Sequence, residues 1–350
     1  MMDAPDVLIR TEGRWGHITL NRPRALNALS YEMCCAIDDA LAAWRSDATI
    51  IGVLIDGAGE RGFCAGGDIR ALYQAAIGGD AASSDIFFAR EYRLNARIAN
   101  FPKPYVALMD GITMGGGVGL SAHGSHRIVT ERTILAMPEV GIGFIPDVGA
   151  THLLGRVPDQ LGTHVALTAM RLSPADALAI DLADHQIPAS RLDDLRQDIF
   201  ASDTITELDP IIHRYATLPA PSALLAQRAW IKKCYQRESI TEILHHLGTA
   251  GPAAAAAATI IAAQSPTAVR LALRALREAR AFGTLEPCLQ QEYRLAVRCT
   301  RAHDFIEGVR AAVVDKDRNP QWQPRSDHDI DDATIDEYFA PLGAAELQFD

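Results

Sequence analysis

The sequence predicts an α/β protein with a helical C-terminal part. Three observations carry this. The N-terminal segments follow one another as strand, strand, helix, strand. Two glycine-rich stretches, Gly66-Gly67 and Gly115-Gly116-Gly117, each run from an extended segment into a helix start. From about Leu192 onward, helical spacing of apolar residues dominates. A boundary near residue 205 is expected, with a core over 1–205 and a helical region over 206–350.

In order, Val7 to Leu20 is apolar around Glu12-Gly13-Arg14, the pattern of a hairpin. Ser30 is positioned to cap a helix that runs to about Arg45, with Met33, Ile37, Leu41 and Trp44 along one face. Ile51 to Ile55 is a short buried strand. Asp68 can cap a helix that begins at Ile69. Another helix, about Asp85 to Asn100, stops at Pro102-Lys103-Pro104. Tyr105 to Met109 and Arg127 to Thr130 read as strands, with the triple glycine and a helix start between them. Ser173-Pro174 opens a further helix, and Leu182 to Ile187 a last extended segment. Helices then cover Leu195–Phe200, Ala223–Tyr235, Ile240–Leu247, Ala253–Ala263, Pro266–Ala281 and Glu286–Cys299, with a short one near 333–339.

The chain has 350 residues, 48% hydrophobic and 22% charged, an ordinary globular composition. Its net charge of −11 argues against a nucleic-acid partner. No apolar run reaches membrane-spanning length, so no membrane partner is expected. The acidic start MMDAPDVLIR carries no secretory or Arg-rich targeting pattern. The six cysteines lack metal-ligand or CxxC spacing, and reduced thiols in a cytoplasmic protein are expected. His123/His126 and His245/His246 have no third ligand at a recognisable spacing, so no metal is expected. No Gly-x-Ser-x-Gly elbow is present.

A glycine-rich helix start brings backbone close to a ligand and offers N–H groups that have no partner inside the helix. The two such starts here can each give a donor to one oxyanion hole for a carbonyl substrate. Two carboxylates follow in apolar settings, Glu139 after Met137-Pro138 and Asp147 after Ile145-Pro146. They suit acid–base or nucleophilic work. By spacing alone, Glu139 could equally cap a helix and Asp147 could sit in a turn.

Longer motifs decide between these readings. Asn21-Arg22-Pro23 through Asn27-Ala28-Leu29, Phe63 through Ile69, Gly111 through Gly117, Met137-Pro138-Glu139 and Glu307-Gly308-Val309-Arg310-Ala311 resemble the enoyl-CoA hydratase/isomerase (crotonase) superfamily. Gly111 through Ser121, Phe144 through Gly149, Glu292-Tyr293-Arg294-Leu295 and His303-Asp304-Phe305 are most similar to its 3-hydroxyisobutyryl-CoA hydrolase branch. The resemblance implies a spiral core of repeated ββα turns and a helical C-terminal portion packed on it. It implies an acyl-CoA substrate whose thioester oxygen sits between the N–H groups of Gly67 and Gly116. No cofactor is expected beyond the coenzyme A of the substrate, and a homo-oligomer is compatible with the family.

Hydratases of the family place two glutamates around the water they add. This chain has the second as Glu139, but Gly119 where the first would be, and Asp147 where the hydratase pattern has glycine. The resemblance therefore implies thioester hydrolysis, with Glu139 as general base or as nucleophile and Asp147 binding a 3-hydroxyl. It further implies substrate contacts for Glu91, Ala65 and Asp68, and CoA phosphate contacts for Arg24 and Lys316. A true hydratase and a non-catalytic acyl-CoA-binding protein are the alternatives. Asp181 stands where relatives carry glycine, a place where Asp tolerates a left-handed backbone.

Overall fold

The computed structural model describes residues 4–349. Its strands, in chain order, are β1 (Val7–Glu12), β2 (Trp15–Leu20), β3 (Gly52–Gly57), β4 (Gly62–Cys64), β5 (Tyr105–Met109), β6 (Ile112–Met114), β7 (His126–Val129), β8 (Ile134–Ala136) and β9 (His185–Gln186). β1 and β2 form the expected hairpin around Gly13, whose φ is +59°. Every later strand of the main sheet joins its neighbour in parallel, in the order β1-β2-β3-β5-β7-β9. Parallel pairing needs a crossover between strands. Buried parallel strands read as continuous apolar runs, as Tyr105–Met109 does.

The helices start with α1 (Tyr31–Ser46), α2 (Ile69–Ile77), α3 (Ala81–Ala99), α4 (Gly116–Ser121), α5 (Ala150–Gly155), α6 (Leu161–Thr168), α7 (Pro174–Ala179), α8 (Leu192–Ala201) and α9 (Leu208–Tyr215). They continue with α10 (Ala223–Ala226), α11 (Arg228–Tyr235), α12 (Ile240–Thr249), α13 (Pro252–Ala262), α14 (Pro266–Phe282), α15 (Leu285–Cys299), α16 (His303–Val309) and α17 (Asp332–Phe339). Ser30 caps α1 by accepting from the Met33 N–H, and Ser173 forms a capping box with Asp176 at α7. Asp181 has φ +61°, the left-handed backbone that its side chain tolerates.

β4, β6 and β8 make a second, three-stranded sheet. Each comes directly after a strand of the main sheet, and α2 and α4 follow the first two. These are the ββα turns of the expected spiral.

Contacts divide the chain into two units that interleave along the sequence. One comprises the segment ending at Gly67, Arg93–Leu135 and Leu172–Ala223; the other comprises Asp68–Tyr92, Ala136–Arg171 and the segment from Leu224 onward. A single boundary near residue 205 was expected from the change to helical spacing, and it falls inside the first unit. The reason is α9: Leu208, Ile211, Ile212 and Tyr215 complete one buried cluster with Trp15, Leu54, Val106 and Ile128 of the sheet. In the second unit, Phe144 stacks on Phe88 at 5.5 Å and tilts against Phe305 at 5.7 Å. No single helix among the described residues is long and apolar enough to cross a membrane.

Candidate active site

The glycine loops belong to the first unit and meet through bare backbone. Gly66 has φ +103°, and a Cβ placed on it would lie 3.2 Å from the Met114 carbonyl and 3.4 Å from the Gly116 nitrogen. A Cβ on Gly117 would lie only 2.3 Å from the Cys64 carbonyl oxygen. Any side chain at 117 would therefore push the two loops apart. The Gly116 amide is the first of α4 and so has no acceptor within the helix.

Local hydrogen bonds fix the Gly67 loop. The Leu29 N–H donates to the Gly66 carbonyl at 2.8 Å. Asn27, fully buried at φ +56°, donates from Nδ2 to the Gly62 carbonyl at 3.0 Å and accepts from the Arg22 N–H at 2.9 Å. The asparagine of the Asn27-Ala28-Leu29 motif is thus a brace for the loop. Cys64 is packed inside it, its sulfur accepting from the Gly66 N–H. Ser121 is core, donating to the Gly117 carbonyl at 2.7 Å. Gly119 is buried within α4 and brings no carboxylate there.

The carboxylates belong to the second unit. Glu139 opens a short 3-10 turn, Glu139–Ile142, closed by Gly143 at φ +70°. It caps no long helix: its Oε2 is buried without a hydrogen-bond partner. Asp147 accepts from the Tyr92 hydroxyl at 2.7 Å through Oδ2. Glu91, 2% exposed, has a buried Oε1 that is likewise unpartnered. Glu292, on α15, accepts from the Gly149 N–H at 2.6 Å, the Thr151 N–H at 2.9 Å and the Thr151 hydroxyl at 2.5 Å.

Burial is the leading influence on all four acids, since removal from water disfavours the charged form. It pushes Asp147 up to about 7, against the Tyr92 hydrogen bond that pulls the other way. Glu292 is pushed up to about 8 in spite of its three donors. Glu139 and Glu91 rise well above the carboxylate range, first from burial and then from the charge of Asp147. The group is an acid set that holds protons near neutrality, and acids tuned in this way suit proton transfer.

The other expected contacts are placed as follows. Asp68 caps α2 by accepting from the Ala71 N–H at 3.3 Å. The Ala65 N–H donates to the Leu26 carbonyl at 3.0 Å. Arg24, on the 3-10 turn Pro23–Ala25, and Lys316, at φ +60°, are both exposed and make no hydrogen bond within either group. Among the described residues, no group of three or more His, Cys, Asp or Glu is arranged to hold a metal ion. Tyr92 gave no signal in the sequence, and Glu292 stood out only inside a motif, without a role.

Comparison with known proteins places these features in a family. Residues 15–339 match the family model described as enoyl-CoA hydratase/isomerase. The chain is 40% identical over 353 residues to the mitochondrial 3-hydroxyisobutyryl-CoA hydrolase of Gallus gallus, covering 99% of this chain and 91% of that relative. Among solved structures, a carnitinyl-CoA dehydratase from Mycobacterium thermoresistibile matches with TM-score 0.94 at 44% identity, covering 99% of both chains. An enoyl-CoA hydratase from Rhodobacter sphaeroides matches with TM-score 0.90 at 40% identity, over 99% of this chain and 100% of that one.

The expectation of a cytoplasmic location does not stand, because the hydrolase relative is named as mitochondrial. Reduced cysteines separate an oxidising compartment from a reducing one. They do not separate the cytosol from the mitochondrion. The fold, the paired glycine loops and the match over nearly the whole chain agree: the chain belongs to the enoyl-CoA hydratase/isomerase family.

Proposed function

We propose that this chain hydrolyses an acyl-CoA thioester, with 3-hydroxyisobutyryl-CoA as the substrate and 3-hydroxyisobutyrate and free CoA as products, a step of valine catabolism. The observation that carries the reading is the acid set. Glu139 is kept together with Asp147, while Gly119 leaves the first hydratase acid missing. Hydration of a double bond draws on two positioned acids, and one such group typically contributes ~10²–10⁴-fold. The name of the Gallus gallus relative supports the same reading.

In this reading the amides of Gly67 and Gly116 polarise the thioester carbonyl. Each such donor is worth about 2.7–4 kcal/mol of barrier. Glu139 either takes a proton from the attacking water or attacks the carbonyl itself, giving a mixed anhydride that water then opens. On either route the C–S bond breaks, the sulfur takes a proton, and the acid leaves as carboxylate. Asp147 accepts the substrate's 3-hydroxyl. Glu91 contributes to the acyl site, Ala65 and Asp68 line the approach, and Arg24 and Lys316 are assigned to the CoA phosphates. The reading calls for no cofactor beyond the CoA of the substrate.

The test is thiol release across 3-hydroxyacyl-CoA and unsubstituted acyl-CoA thioesters, for wild type and Glu139→Gln. Release from 3-hydroxyisobutyryl-CoA that disappears in the variant supports the reading; undiminished release sinks it. A second reading, enoyl-CoA hydration, is favoured by the name of the Rhodobacter sphaeroides structure. Loss of the enoyl absorbance of crotonyl-CoA, without thiol release, would establish it. Tight CoA binding with no turnover of either kind would indicate a binding protein.

A further inference from the structure

Glu292 takes no part in the chemistry above, yet it is fully buried and committed to three donors. A buried acid is a costly choice where an apolar side chain would pack, because desolvation of its polar oxygens has to be offset by hydrogen bonds. All three donors belong to Gly149 and Thr151, within four residues of Asp147.

The segment they hold is an unusual one. Val148 has φ +53° and Gly149 φ +83°. A left-handed backbone is rare for a β-branched residue and persists where its surroundings enforce it. The Ala150 N–H closes the turn on the Asp147 carbonyl at 2.8 Å. Oε2 of Glu292 then takes the Gly149 amide, and Oε1 takes both donors of Thr151. From the other side, Tyr92 takes Oδ2 of Asp147. The carboxylate of Asp147 is therefore fixed at both ends, through its backbone turn and through one of its oxygens.

We propose that Glu292 is a positioning residue: by holding the Asp147-Val148-Gly149 turn, it aims Asp147 at a hydroxyl on C3 of the acyl chain and so makes the site prefer hydroxylated acyl groups. The identity of that ligand rests on the hydrolase reading; the turn and its three hydrogen bonds do not. Selectivity at the acyl site would then depend on α15, in the helical C-terminal region.

The experiment measures binding of two non-hydrolysable thioether analogues, a 3-hydroxyacyl-CoA and its unhydroxylated counterpart, by calorimetry. Wild type, Glu292→Gln and Thr151→Val are compared. Glutamine keeps the volume but puts an N–H₂ where one carboxylate oxygen accepted, so a donor faces a donor. Valine keeps the shape of threonine and removes only the hydroxyl donor. Wild type is expected to bind the hydroxylated analogue about tenfold more tightly, the scale of one hydrogen bond to a charged group. Glu292→Gln should lose that preference while its affinity for the plain analogue stays within about twofold of wild type. Thr151→Val should lose part of it, and it decides the matter if Glu292→Gln does not fold.

A merely structural Glu292 would lower the melting temperature and weaken both analogues in parallel. That result overturns the proposal, as does a preference retained in the variants or absent from wild type. Thiol release run alongside separates the two ideas. A wild type that releases no thiol removes the hydrolase reading, while the binding preference still decides the role of Glu292.

Discussion

The Tyr92 hydroxyl donates to Oδ2 of Asp147 at 2.7 Å, in a place where both side chains are buried. Burial pushes the acid up to about 7, and the phenol holds it from rising further. A donor stabilises the carboxylate over the carboxylic acid, so removing it raises the pKa. Tyr92→Phe is therefore expected to move the acid limb of the kcat/KM profile to higher pH. Hydrogen bonds to charged groups are worth about 1.5–3 kcal/mol, roughly a ten- to hundredfold change in the acid's ionisation constant. The loss should be largest near pH 6 and shrink toward pH 9, as thiol release across that range would record. An unmoved limb would mean that an acid other than Asp147 sets it.

The same burial ties folding to pH. Glu91 and Glu139 hold their protons well above the range in which an unfolded chain gives them up. Between those two ranges the folded state binds more protons than the unfolded one. Stability is then full below the unfolded values and falls as pH rises toward the folded ones. Glu91→Gln and Glu139→Gln remove that liability. Both variants should melt higher than wild type at pH 8, by ~1–2 °C for each kcal/mol recovered, with a smaller gain near pH 4.5. Calorimetry at the two pH values checks the sign. An enzyme stabilised by losing its own acid is one that has given up stability for function.

What the sequence makes legible here is chemistry that acts over short range. Ser30, Asp68 and Ser173 cap helices through atoms three residues away, and such spacings can be read directly. The glycine pairs and the two acids also stand out, because backbone approach and buried charge ask for particular residue types. β4, β6 and β8, three residues each, are too short to carry an alternating pattern. α9 hides behind Asp209-Pro210, which looks like a break but lies in the first turn of the helix, where proline is tolerated. The partnerships of Tyr92 with Asp147 and of Glu292 with Thr151 span 55 and 141 residues. No spacing rule reaches that far.

Gly117 offers a test of the donor loops. Its missing Cβ would stand 2.3 Å from the Cys64 carbonyl oxygen and 3.0 Å from the Cys64 Cβ, so Gly117→Ala must displace the start of α4. If the Gly116 amide serves the thioester carbonyl, the variant should lose ~10²–10³ in kcat, as expected for one oxyanion donor. The loss should be the same for hydroxylated and plain acyl thioesters, because the carbonyl is common to both. A loss confined to the hydroxylated substrate would place the effect at the acyl pocket instead.

Gly308, in the Glu307-to-Ala311 motif, shows how a helix far along the chain reaches the turn that Glu139 opens. A Cβ there would lie 2.5 Å from the carbonyl carbon of Ile142 and 2.6 Å from its Cα. On the facing side, a Cβ at Gly143 would lie 2.3 Å from the carbonyl of Asp304. α16 thus packs bare backbone on bare backbone against the turn that Glu139 opens. Alanine normally favours a helix over glycine by up to about 1 kcal/mol. Here overpacking outweighs that gain, and Gly308→Ala should destabilise by ~1–3 kcal/mol in denaturant unfolding. Its kcat should fall by up to ~10²-fold, since displacing a catalytic group by about 1 Å costs that much. Gly248→Ala is the control: this glycine lies in α12 with open space where the Cβ would go. It should gain ~0.4–1 kcal/mol and leave thiol release unchanged. If Gly308→Ala behaves like that control, α16 does not set the position of Glu139.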